Sequence, residues 1–423
     1  MPEKPSSNPN YRWQVVAMLW CICFFNYADR QAIFAIFPLL EKTYHFTKDE
    51  LGLIGASFMY VYALTAPFAG QVGDRGSRKN VILGGLAIWS LITGFTALCS
   101  RVWQFVLVRG AEGLGETFYF PASMSLISDY HSKATRSRAM SLHQTSVYAG
   151  TVGGSVFAGW MADRHGWQYS FLILGGLGVL LAIALGRFLN EPERNAAERE
   201  AGESSIIAQP IPFSQYLKHL TRTPSTLFLI LAFFGANSVA MIFITWMPSA
   251  LREQFHLTLA WSGFNATFFV QSASLVGATV GGVWADRLCK RWVGGRMLVQ
   301  GVGALLGVPF IFWSGQTHDL NLLLFALTCF GFSKGLYDAN IWASLYEVVP
   351  VARRSTSVGM MNMIGWIGGG LATWGIGKVA SAGVPLQTAI GGTAVIYLIV
   401  ALLLFTTGFC FAPRDIQKRE ITP

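Results

Sequence analysis

The stretch GQVGDRGSRK at 70–79 returns as GVWADRLCKR at 282–291, 212 residues further on. Both copies read G-x3-D-R-x3-[KR], and each follows a long apolar run. A second echo links Arg136 to Arg353. Gly153-Gly154 and Gly368-Gly369-Gly370 follow in register. A chain that repeats a charged loop at this distance is built from two similar halves.

Around those loops the chain is 52% hydrophobic and only 13% charged, with 45 glycines, 31 phenylalanines and 14 tryptophans among 423 residues. A soluble domain carries about 25% charged residues, so this composition points to a polytopic membrane protein. Stretches of about 20 mostly apolar residues span a bilayer. Twelve are predicted: 13–38, 50–72, 80–99, 103–128, 137–161, 168–189, 225–250, 259–284, 296–314, 320–348, 355–378 and 386–411. Lone strands cannot cross lipid, so all are helices. The expected fold class is an all-α polytopic membrane protein of two pseudo-symmetric six-helix bundles. The expected organisation is a bundle over 1–190, a polar cytoplasmic linker over 191–222 and a second bundle over 223–423. The opening MPEKPSSNPNYRW is polar, and the first apolar run is too long for a signal-peptide core, so no cleaved leader is expected.

Orientation follows from the basic residues. With both termini inside, about 22 Lys and Arg fall in the cytoplasm, 6 outside and 3 within spans. The net charge of +9 is scattered over short loops, which fits topology and not nucleic-acid binding. Six cysteines show no metal-ligand spacing and are expected to be free packing residues. No Walker motif, metal motif or nucleophile elbow is present. Gly-rich GVGALLG at 301–307 lies inside an apolar span and serves close helix packing. The chain is expected to be neither an enzyme nor a cofactor protein, and ATP-driven pumping would need a separate subunit.

Ionised side chains at membrane depth cost roughly 2.5–3.5 kcal/mol each on the insertion scale, and they mark pathways or paired networks. NYADR at 26–30 puts Asp29 and Arg30 in the first span. RGAEGLGE at 109–116 puts Arg109, Glu112 and Glu116 in the fourth, at i, i+3 and i+7 on one helix face. Counting ~1.5 Å per residue from the outer ends, Asp29 lies ~12 Å deep, Arg109 ~9 Å, Glu112 ~14 Å and Glu116 ~20 Å. The two groups can therefore meet. Three acids against two bases leave one carboxylate in excess. An unpaired buried carboxylate takes up a proton readily, which is what proton coupling requires. A network serving packing alone is the competing account, and buried pairs are weak stability devices.

In the second half, Lys334 and Asp338 form an i, i+4 pair, either an internal salt bridge or a substrate contact. Asn362, Asn237 and Asn265 are further polar positions at depth. Tyr27, Tyr62, Tyr119, Tyr148, His143 and Gln144 are candidates to line a cavity in the first half. Each alone is more simply a satisfied interhelical hydrogen bond.

With these residues in view, the chain resembles the major facilitator superfamily over nearly its full length. G-x2-G-D-R-x2-R-K at 70–79 matches the superfamily's cytoplasmic loop signature. The resemblance implies a gating role for Gly70, Gly73, Asp74, Arg75, Arg78 and Lys79, with Asp286, Arg287 and Arg291 as a weaker twin. Asp163 and Arg164 also follow a glycine by four, but on the outer side, where an ordinary surface turn is expected. NYADR and RG-x2-G-x-GE resemble the anion:cation symporter group, which moves sugar acids and other organic anions, and the spinster group, which moves lysolipids and sphingolipid phosphates. FITWMPSALREQF at 243–255 and GMMNMIGWIGGG at 359–370 look more like the organic-anion group. GDRGSRK with RGAEGLGETFY looks at least as much like spinster proteins. By resemblance to the anion symporters, Asp29 and Glu116 are the protonation sites, and Arg30 and Arg109 are their charge partners and substrate-anion contacts. Glu112 is an addition, since that pattern more often has an apolar or small residue there.

The expected function is proton-coupled symport of a small organic anion by alternating access, with the proton gradient as the driving force. A spinster-like lipid transporter is the alternative. A non-transporting receptor on the same fold is a further one, disfavoured because both gating loops persist. The expected setting is a monomer in a bacterial inner membrane, with a small anionic substrate and the bilayer as its partners and no nucleic acid.

Overall fold

Several of the long apolar runs are interrupted within their length, so that one span is built from two consecutive helices. The computed structural model describes residues 9–194, 223–350 and 353–421, with the side chains of 9, 70–75, 133, 355 and 418–421 outside the description. The first half contains α1 (Pro9–Ala35), α2 (Phe37–Tyr44), α3 (Lys48–Arg75), α4 (Arg78–Thr96), α5 (Val102–Thr117), α6 (Tyr119–Tyr130), α7 (Lys133–Arg164) and α8 (Trp167–Phe188). The second contains α9 (Pro224–Phe255), α10 (Leu259–Cys289), α11 (Gly295–Ser314), α12 (Leu320–Asp338), α13 (Ile341–Val348), α14 (Arg354–Ser381), α15 (Leu386–Gly392) and α16 (Ala394–Thr406). A short π-helical turn, Thr407–Phe411, leads into α17 (Ala412–Ile421).

Joining α1 to α2, α5 to α6, α12 to α13 and α15 to α16 gives twelve spans close to those expected. The joints have local causes. Pro38 lies in the first turn of α2, where its missing N–H costs nothing. At Phe118 and at Ala339–Asn340 the ladder breaks in the corresponding spans of the two halves, four and ten. Eight helices among the described residues are apolar and long enough to cross a membrane. The four spans that fall short are one, four, five and eleven, and one and four are those that carry the five charges.

The chain forms two compact units. One comprises Met1–Phe46, Ser57–Ile207 and Thr258–Phe264; the other comprises Thr47–Ala56, Ala208–Leu257 and Asn265–Pro423. In the first unit α1 packs chiefly on α7, and α4 on α8. Gly154 of α7 permits the first contact, since a Cβ there would land on the Ala28 backbone. In the second unit α9 packs on α14 and α16, and α11 on α12. The opening turns of α3 belong to this unit. Asp49 Oδ1 accepts from Trp374 Nε1 at 2.5 Å, and Lys48 Nζ lies 2.8 Å from Glu253 Oε1. The opening turn of α10 belongs to the first unit. There Asp163 Oδ2 accepts from the Ala260 N–H at 3.2 Å, so Asp163 caps a helix start.

Of the expected linker, only residues 191–194 are described, and 195–222 lie outside. Glu191 accepts from the Arg78 N–H at 2.7 Å and from the Ser77 hydroxyl, while Ser77 Oγ accepts from the Asn80 N–H at 3.2 Å. A carboxylate and a hydroxyl thus satisfy the first turn of α4 and oppose the helix dipole.

Candidate functional site

The five intramembrane charges lie together in the first unit. Asp29, Arg109, Glu112 and Glu116 are fully buried and Arg30 is 8% exposed. Two ion pairs form, Arg30 with Glu116 and Arg109 with Glu112. The first links α1 to α5; the second is an i, i+3 pair within α5. Asp29 is in neither pair, and neither of its oxygens has a hydrogen-bond partner. The acid left over in the charge count is therefore Asp29, and Glu112 belongs to a pair. Thr93 and Thr96 of α4 stand beside these carboxylates without hydrogen bonds of ordinary length.

An aromatic plate divides the pairs. Phe58 of α3 lies 4.8 Å from the Arg30 guanidinium and 4.8 Å from that of Arg109. Tyr27 at 4.8 Å and Tyr62 at 5.0 Å complete a cage around Arg30. Each cation gains from a ring quadrupole in a water-poor site. Phe58 reaches this position because Gly113, between the two glutamates, lets α5 approach α3. A Cβ at 113 would sit 2.6 Å from the Phe58 carbonyl oxygen.

A second polar cluster lies on α6 and α7. Tyr119 donates to the Leu19 carbonyl at 2.7 Å, and its oxygen lies 2.9 Å from His143 Nε2. Its single proton being committed to Leu19, Tyr119 accepts from His143, and Nδ1 of that buried ring has no hydrogen-bond partner. Gln144, next to His143 in the chain, is exposed.

In the second unit Lys334 pairs with Asp338 within α12. Asn237 Nδ2 donates to the Gly365 carbonyl at 2.6 Å, Asn265 is buried and Asn362 is half-buried. The internal repeat gives Lys334 a meaning. Gly113 and Gly331 both let their helices press on a neighbour, at Phe58 and at Val270, and they are 218 residues apart. The same step carries Glu116 onto Lys334. A cation stands in the second half where the first half has an acid.

The loop signature is embedded in ion pairs at the helix ends. Arg78 pairs with buried Asp129 at the end of α6, and Lys79 Nζ donates to the Gly186 carbonyl at 2.9 Å. The helix through Gly70, Gly73, Asp74 and Arg75 is described, but their side chains lie outside the description. In the second copy Asp286 is engaged by Arg296 at 2.6 Å, and Arg296 also holds Glu347 at 2.6 Å. Arg287 and Arg291 instead line an open groove. Arg296 and Glu347 stand 218 residues after Arg78 and Asp129, so the second unit rebuilds this pair outside the loop motif. Reading the sequence missed Asp129, Arg296, Glu347 and Phe58. The first three had a signal in the 218-residue step; Phe58 had none among so many phenylalanines. Among the described residues no group of His, Cys, Asp and Glu is arranged to hold a metal.

Comparison with known proteins agrees with this architecture. The chain is 25% identical to the probable galactarate/D-glucarate transporter GudP of Escherichia coli (strain K12), over 98% of this chain and 96% of that protein. It is 30% identical to human protein spinster homolog 1, over 56% of this chain and 45% of that protein, so this match spans less than half of the relative. Among solved structures, a bacterial homologue of the human lysosomal transporter Spinster, inward-facing and occupied, aligns with a TM-score of 0.81 at 19% identity, covering 98% of this chain and 99% of that one. A point mutant of the nucleoside transporter NupG aligns at 0.68 and 14% identity, covering 94% and 99%. Residues 19–373 match the family model for the Major Facilitator Superfamily, and the chain belongs to that superfamily of membrane transporters.

Proposed function

We propose that the protein is a proton-coupled symporter of a small organic anion, a sugar acid in the first instance, working by alternating access. The observation that supports it most directly is Asp29, a sealed carboxylate with neither ion-pair partner nor hydrogen bond beside two complete ion pairs. A buried carboxylate in that position is carried most cheaply with a proton on it. When Asp29 or Glu116 takes up a proton, a guanidinium is released to a substrate carboxylate; when the proton is lost on the inside, the carboxylate reclaims the guanidinium. Arg30 and Arg109 are the groups that alternate. Asp29 and Glu116 hold the proton, and Glu112 keeps Arg109 paired while the site is empty. The full-length similarity to a sugar-acid transporter favours an acid as cargo. The bias of Lys and Arg favours cytoplasmic termini, and the full-length similarity to an Escherichia coli transporter favours a bacterial inner-membrane setting. The proposed unit is a monomer that uses no cofactor or nucleic acid.

A lysolipid or sphingolipid phosphate as cargo draws on the similarity of about half the chain to spinster proteins. One experiment separates the two. Purified protein in proteoliposomes under an inward pH gradient is offered galactarate, D-glucarate and a lysophospholipid panel. Uptake of an acid that collapses with a protonophore is expected. Gradient-independent movement of lipid alone would overturn the proposal.

A further inference from the structure

The end of α10 carries a feature that neither coupling nor gating uses. Trp284, Arg287, Leu288, Lys290 and Arg291 line an open groove of about 410 Å³. Trp284, Arg287 and Leu288 are spaced i, i+3 and i+4, so they share one face of α10, and Lys290 and Arg291 follow in the turn beyond its end. Asp286, the acid within this run, is engaged by Arg296. Among the described residues, the groove lining holds three exposed cations and no acid.

The same face continues as an apolar track. Val276, Val280, Val283 and Trp284 are all exposed, and they lead along the helix to Arg287. From Val276 to Arg287 the rise is about 16 Å, close to the half-thickness of a hydrocarbon core of about 30 Å. An interfacial tryptophan separates the apolar track from the cations, as expected at headgroup level. Cations at a helix C-terminus also answer its dipole and the orientation rule. Neither of those requires a concave site, nor an apolar track of leaflet length on the same face.

We propose that this groove holds the headgroup of one anionic membrane phospholipid, with its phosphate on Arg287, Lys290 and Arg291 and its acyl chains along Val276, Val280 and Val283. A zwitterionic lipid brings no net charge to three cations, and a free phosphate ester makes no use of the track. The proposal stands whatever the transporter carries.

The test is native mass spectrometry of the full chain released from nanodiscs of equal phosphatidylglycerol and phosphatidylcholine. The wild type is expected to retain one more phosphatidylglycerol than the Arg287→Gln/Lys290→Gln/Arg291→Gln variant. The charge-keeping Arg287→Lys/Arg291→Lys variant is expected to retain it, which separates loss of charge from loss of fold. In detergent, added phosphatidylglycerol is expected to raise the melting temperature of the wild type more than that of the triple variant, while glycerol phosphate leaves both unchanged. Equal lipid retention by wild type and triple variant overturns the proposal. So does equal stabilisation by phosphatidylcholine, or stabilisation by glycerol phosphate through the same cations.

Discussion

Asp29 and its four charged neighbours differ in what their removal leaves behind. Asp29→Asn removes a buried carboxylate that has no pair, so the fold is expected to hold or gain slightly while coupled uptake is lost. Glu116→Gln and Glu112→Gln each strand a buried arginine, and breaking such a pair costs about 3–5 kcal/mol. Melting temperatures in detergent should therefore rank Asp29→Asn at or above wild type and both glutamine variants well below it. An Asp29→Asn protein as unstable as Glu116→Gln would mean that Asp29 carries a structural charge. His131, in the loop between α6 and α7, gives a second prediction. Burial holds its ring below the ordinary imidazole value, opposed by its contact with the Arg12 carbonyl and aided by the positive charges of Arg12 and Arg136. The Trp13 ring covers it at 4.9 Å, and Thr135 Oγ1 lies 3.1 Å from Nδ1. A lowered folded value favours the neutral ring. The stability this contributes is present above the unfolded value, near pH 6.5, and is lost as pH falls below it. His131→Gln should flatten the drop in melting temperature between pH 7 and pH 5.

At the scale of elements, the site is assembled by one close helix contact and one cap. Gly113→Val drives a side chain into the Phe58 carbonyl and separates α5 from α3. Phe58 then no longer lies between the two guanidiniums. Loss of folded protein on gel filtration is expected, with no comparable loss for Gly84→Val, which meets open space. Glu191→Ala removes the acceptor for the Arg78 N–H and the Ser77 hydroxyl at the start of α4, costing about 1 kcal/mol. The elements were legible because apolar runs of bilayer length, bounded by charged loops, admit little besides helices. The break at Phe118 had a signal in Pro121, whose missing N–H cannot donate to the Thr117 carbonyl, whereas no proline follows Ala339–Asn340 within a turn and that break was not legible. The depth count brought Arg30 and Glu116 within reach but could not choose the pairs. Arg109 turns to Glu112 on its own helix, and that choice depends on side-chain rotamers. The aromatic plate depends on which of 31 phenylalanines faces inward, which spacing along one helix does not settle.

At the scale of the molecule, the duplication is most informative where its halves disagree. The structural pairs are copied: Arg78 with Asp129 becomes Arg296 with Glu347, and Gly113 becomes Gly331. The intramembrane charges are not. By the 218-residue step Arg109 becomes Leu327, Glu112 becomes Phe330 and Glu116 becomes Lys334. If packing were the only task of the five charges, both halves would be expected to keep similar sets, because both solve the same packing problem. Their confinement to the first unit supports the proposed protonation there, and Lys334, paired with Asp338 at the position matching Glu116, is the cation proposed to meet the substrate in the second unit. The two tasks can be separated by kinetics. Lys334→Gln is expected to raise the KM for a transported acid by at least tenfold, a loss of about 1.4 kcal/mol of binding, while uptake still follows the pH gradient. Glu116→Gln is expected to abolish dependence on the gradient while leaving counterflow exchange of the acid. Both variants are measured in the same proteoliposomes, with and without the gradient. If Lys334→Gln also lost its response to the gradient, coupling would be shared between the units and the asymmetry of the repeat would have another cause.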